Sequence, residues 1–90
     1  MLIALDYDET YTKDEELWNH FINTCIRRKH TVICVTMRYE SEGLPILNTI
    51  GKKCQVYFTG RNAKKIYLDK LGIYPDIWID DNPMWLYKNG

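Results

Sequence analysis

Two aspartates on alternate positions, Asp6 and Asp8, stand directly after the apolar run Leu2-Ile3-Ala4-Leu5. A second acidic pair, Asp80-Asp81, follows Ile77-Trp78-Ile79 near the other end of the chain. Carboxylate oxygens are hard ligands for small divalent cations, and paired carboxylates also serve in acid, base and nucleophilic catalysis. Two further groups suit the same chemistry. Thr36 closes the run Thr31-Val32-Ile33-Cys34-Val35 and offers a hydroxyl. Lys64 and Lys65 follow Thr59-Gly60 and offer a compact positive charge. Such a set can hold a metal ion and a phosphate together, provided one fold brings its members to one place.

The elements that must do so are legible in the hydrophobic pattern. Short apolar, β-branched runs at 2–5, 31–36, 55–59 and 76–79 read as buried strands. Between them lie segments with helical spacing. Thr12-Lys13-Asp14-Glu15 has the form of a capping box, after which Leu17, Trp18, Phe21, Ile22, Cys25 and Ile26 predict a helix to about Arg28. A weaker helix is expected from Ser41 to Ile50, with Pro45 tolerable only in its first turn and Gly51 ending it. A third follows from Asn62 and closes at Gly72, and Pro83 to Lys88 suits a short terminal turn. Strand and helix alternate, with connections too long for hairpins. The expected fold is therefore α/β: one Rossmann-like three-layer domain over residues 1–90, with a parallel sheet of about four strands and the first strand near the middle. In such a sheet all the strand ends that carry these residues lie on one edge.

Composition narrows the class. Twelve basic and twelve acidic side chains cancel, which argues against a general nucleic-acid or membrane surface while leaving room for a local phosphate pocket. The cluster Arg27-Arg28-Lys29-His30 falls where the first helix should end and suits its dipole. Cys25, Cys34 and Cys54 are odd in number and lack metal or redox spacing, so free thiols in a cytoplasmic protein are expected. No stretch suits a signal peptide or a membrane span. A core this thin would also benefit from self-association, so a homo-oligomer is one expected partner.

Taken in order, these residues resemble the motifs of the haloacid dehalogenase superfamily of phosphatases. The first motif, an apolar strand followed by Asp-x-Asp-x-Thr, is met by Asp6-Tyr7-Asp8-Glu9-Thr10. The strand-end Thr is met by Thr36, the helix-opening Lys by Lys64, and the acidic pair after a strand by Asp80-Asp81. The resemblance thus covers nearly the whole chain. It implies an Mg²⁺-dependent phosphomonoesterase in which Asp6 attacks phosphorus and Asp8 protonates the leaving oxygen. Mg²⁺ would be held by Asp6, the backbone carbonyl of Asp8, and Asp80 or Asp81, while Thr36 and Lys64 bind the transferring oxygens. Lys64 matches the family's spacing to the following aromatic residue, with adjacent Lys65 as the alternative. Arg61 is a further candidate for gripping a substrate anion, although a solvent-facing loop position suits it equally.

Two departures stand out. Glu9 occupies a position that is most often glycine in the family, and neither the first motif nor the second strand is followed by room for a cap domain. A capless site should be open and suit a large or polymeric phosphorylated substrate. The alternative reading is a catalytically idle member of the family that binds metal or a partner protein. Each residue also has an ordinary role: aspartates are common at strand ends, and Asp81-Asn82-Pro83 reads well as a plain turn.

Overall fold

The computed structural model describes all residues from Met1 to Gly90. Four strands form one sheet: β1 (Leu2–Leu5), β2 (Thr31–Thr36), β3 (Gln55–Phe58) and β4 (Ile77–Ile79). Their spatial order is β3-β2-β1-β4, and every pairing is parallel. The chain winds outward from β1 through β2 to β3, then returns to place β4 on the opposite side of β1. That reversal creates a crevice beyond the carboxyl end of β1, where open α/β sheets bind ligands.

Alternation along the strands divides the core in two. Ile3, Leu5, Val32 and Cys34 face one side, where they pack with Tyr11, Ile22, Cys25, Ile46 and Ile50. Ala4, Ile33 and Val35 face the other and pack with Leu68. The first layer is supplied by α1 (Glu15–Arg27) and the short α2 (Leu44–Leu47), the second by α3 (Lys64–Lys70). The expected three-layer α/β sandwich with a central first strand is the observed architecture. No helix is long and apolar enough to cross a membrane. All three cysteines are free, and burial pushes the Cys34 thiol well above its usual pKa.

Local expectations need three corrections. Asp14, and not Thr12, caps α1: its carboxylate accepts from the Leu17 amide at 3.1 Å. Thr12 lies in a preceding 3-10 turn and instead accepts from the Glu9 amide at 3.0 Å. Within α1, Leu17 and Ile26 fit the helical spacing yet remain exposed, because only the Trp18–Phe21–Ile22–Cys25 side reaches the sheet. The expected helix from Ser41 to Ile50 is broken into a 3-10 turn at Glu40–Glu42, four residues of α2, and a 3-10 turn at Ile50–Lys52. Pro45 removes a donor and Gly43 and Gly51 lower helix propensity, so no longer helix is sustained. By contrast, Gly72 ends α3 as expected. Its φ of +74° allows Ile73 N–H to donate back to Leu68 C=O at 3.0 Å.

Candidate active site

At the carboxyl end of the sheet, Thr36 and residues in the segments that follow all four strands line one cleft of about 430 Å³. Asp6, Thr36, Lys64, Asp80 and Asp81 all line it, together with Asp8 and Arg61. Every residue singled out in the sequence except Lys65 therefore meets there. Lys65 pairs with Asp69 one turn along α3, at 3.0 Å, and takes no part.

Lys64 is the centre of the cleft floor. As the first residue of α3 it is buried, and its ammonium donates to Asp6 Oδ1 and to Asp80 Oδ2, each at 2.6 Å. A buried lysine is tolerated only with such partners. Burial alone would push its pKa down, but the attraction of Asp6 and Asp80 wins and holds it above the usual lysine value. No other cation of the chain pairs with these carboxylates.

Asp6 is buried at the end of the central strand. Its amide donates to Ile79 C=O at 2.9 Å, which fixes the residue between β1 and β4. Loss of hydration pushes its carboxyl up to about 7, with Lys64 pulling down and Asp80 pushing up. With protein groups alone around it, a large part of the population carries a proton, and an added cation would expel it.

Thr10 joins the first motif to the last. Its hydroxyl lies 3.1 Å from Asp6 Oδ2 and 3.3 Å from Asp81 Oδ1, sharing one proton between them, and accepts from the Asp81 amide at 3.2 Å. One oxygen from each of Asp6, Asp80 and Asp81 lies within 4.8 Å of the others. This all-carboxylate set fits a hard divalent cation such as Mg²⁺, Mn²⁺ or Ca²⁺ and offers no soft donor. The Asp80 carboxylate also accepts from the Asn82 amide at 3.0 Å, so the turn beyond β4 is built around it.

Asp8 stands apart from that cluster. Both of its oxygens accept from Arg38, Oδ2 from Nε at 3.0 Å and Oδ1 from Nη2 at 2.7 Å. Arg38 also lies over the Tyr7 ring, 5.7 Å from its centroid. Thr36 is buried and accepts from the Arg38 amide at 3.3 Å. Arg38 was not among the residues expected at the site. Its place two positions beyond a strand-end threonine was the available signal, but charge alone does not distinguish it from a solvated loop arginine.

Glu9 and Arg61 share a backbone peculiarity. Both have left-handed φ values, +63° and +70°, which side-chain-bearing residues adopt at a cost. Glu9 pairs loosely with Lys13 at 3.2 Å on the exposed rim. No family model, curated protein or solved structure matches this chain.

Proposed function

We propose that the chain is a phosphomonoesterase of the haloacid dehalogenase type, dependent on Mg²⁺ and working through an aspartyl-phosphate on Asp6. The observation that carries this reading is the buried Asp6 carboxylate on the central strand, held between Lys64 and the Asp80-Asp81 pair. Burying a carboxylate beside two others is costly even with Lys64 as its partner, and such settings concentrate at catalytic and cation-binding sites.

In the proposed reaction an Asp6 oxygen forms a bond to phosphorus while the ester P–O bond breaks. Asp8 transfers a proton to the departing oxygen and later takes one from the water that attacks the acyl phosphate, releasing inorganic phosphate and restoring Asp6. Asp6, Asp80 and Asp81 would hold an Mg²⁺, whose charge would let the anionic nucleophile approach an anionic phosphate. Lys64 balances the negative charge of the floor, and Thr36, at the end of β2, would supply a hydroxyl to the transferring oxygens. Asp8 must first leave Arg38, since both its oxygens are engaged.

That last contact also favours the second reading, an idle domain that binds a cation or partner without turnover. Release of phosphate from an aryl phosphate ester, with and without Mg²⁺, decides between them. Wild-type turnover that needs Mg²⁺ and falls at least about a thousandfold in Asp6→Asn is expected for the enzyme. Turnover surviving in Asp6→Asn refutes the nucleophile, and cation binding without any turnover selects the idle domain.

A further inference from the structure

The acidic floor accounts for one phosphate and one cation, but two arginines at the rim of the same cleft remain unexplained. Arg38 follows β2 and Arg61 follows β3, and both line the cavity. Two backbone hydrogen bonds bind their loops together. Gly60 N–H donates to Arg38 C=O at 3.2 Å, and Arg61 N–H donates to Met37 C=O at 2.7 Å. A third, from Gly90 N–H to Arg61 C=O at 2.9 Å, holds the turn from the other side.

This arrangement is maintained against strain. Gly60 and Arg61 are both left-handed, with φ of +59° and +70°, and the second carries a long side chain. Strained backbone persists where the surroundings over-determine it, as at ligand-binding sites. Each guanidinium is also parked over an aromatic ring, Arg38 over Tyr7 and Arg61 over Tyr39 at 5.6 Å. Their orientation is thus partly set before any ligand arrives, which lowers the entropy lost on binding.

Neither guanidinium is used up by its acidic partner. Arg38 gives Asp8 two donors of its five, while Arg61 meets Glu42 only at 3.6 Å, with both side chains well exposed. The free donors suit the planar, forked recognition of a phosphate. The cleft also has two hydrophobic lining residues, Met37 and Trp85, against which a carbon skeleton can lie. The cleft's volume is that of a small-molecule site.

We propose that Arg38 and Arg61 form a second anion subsite, so that the preferred substrate is a small phosphomonoester bearing a second phosphate. This rests on the reading of the Asp6 floor as the site of the reacting phosphate. It replaces the expectation of a polymeric substrate with a compact one whose two phosphates span floor and rim. An arriving rim phosphate would also compete for Arg38 and thereby loosen Asp8.

The test is calorimetric binding in Mg²⁺, made in the Asp6→Asn background so that nothing is turned over. Adenosine 3′,5′-bisphosphate is compared with adenosine 5′-monophosphate, and a 3′-phosphorylated dinucleotide provides a nucleic-acid arm. The bisphosphate should bind about 10- to 100-fold tighter than the monophosphate, the range expected for charge-assisted hydrogen bonds. Adding Arg61→Asn, which tolerates a left-handed backbone, should collapse that ratio towards one, with Arg61→Lys retaining part of it. Arg38→Gln should lower it independently. A wild-type-like ratio in both arginine variants, or no preference to begin with, overturns the proposal, as does tighter binding of the dinucleotide than of the bisphosphate. A purely structural role would weaken both ligands and leave the ratio intact. Phosphate release by the unsubstituted protein is scored separately, so a preference without turnover would sink the enzymatic reading and spare the subsite.

Discussion

Replacing Lys64 with methionine tests the electrostatic design of the floor most directly. Methionine keeps much of the lysine stem's length and packing but removes the ammonium that sits 2.6 Å from both Asp6 and Asp80. The substitution leaves Asp6, Asp80 and Asp81 facing one another with no counter-charge. Removing one partner of a buried pair costs about 3–5 kcal/mol, against a total of roughly 5–13 kcal/mol for a domain of this size. The sign of the pH dependence follows from the same geometry. Asp6 already has a folded-state pKa of about 7, above its unfolded value, and losing Lys64 raises it further. A folded state that binds more protons than the unfolded one loses stability as pH rises. The variant should therefore be closest to wild type near pH 5 and furthest from it near pH 8. Urea unfolding followed by tryptophan fluorescence at both pH values measures this. With a slope of about 1–3 kcal/mol per molar, the midpoint at pH 8 should fall by at least about 1 M. A loss below about 1 kcal/mol at pH 8, or one of equal size at both pH values, would refute the reasoning.

Two other measurements probe neighbouring features. Asp6→Asn should flatten the wild-type decline in stability between about pH 4 and pH 8, a decline worth at most roughly 4 kcal/mol from this group. By the same logic, millimolar Mg²⁺ should raise the wild-type Tm more at pH 8 than at pH 5, and equal shifts would show that the cation binds elsewhere. Glu9→Gly removes the left-handed strain at φ +63° and sacrifices only an exposed ion pair with Lys13. Relief of about 1–2 kcal/mol, less about 0.4–1 kcal/mol for a looser unfolded chain, leaves a net gain centred near about 0.8 kcal/mol, a Tm rise of roughly 3–6 °C by calorimetry. An unchanged or lower Tm would mean that the Glu9 side chain makes a contribution not visible in its contacts.

The sheet was legible in the sequence because β-branched apolar runs with no competing periodicity leave few alternatives. The acidic residues and Thr36 stand at the ends of those runs, so a parallel sheet brought them together almost by construction. Spacing to the following aromatic residue already favoured Lys64 over Lys65, and the fold separates them fully: adjacent residues on a helix point about 100° apart, so Lys64 reaches Asp6 while Lys65 pairs with Asp69. The broken segment from Glu40 to Lys52 was not legible, because its apolar residues fit a helix while Gly43, Pro45 and Gly51 weaken one. Thr12 misled for a related reason. Either Thr12 or Asp14 can cap a helix, and the turn after Asp8 decides which of them reaches its first amides. Arg38 and the left-handed turn at Gly60-Arg61 depended on contacts between two loops far apart in sequence, which no local pattern encodes.

The Lys64 ammonium also ties the history of this fold to its chemistry. It bridges the central strand to the edge strand β4, so the groups proposed to react also hold the sheet's end together. A descendant could not lose Lys64 alone without leaving the buried Asp6 and Asp80 carboxylates uncompensated. It would have to exchange Lys64 and its acidic partners in concert, for neutral groups of matching volume. Decay of this site should thus be abrupt, leaving either the whole charged set or none of it.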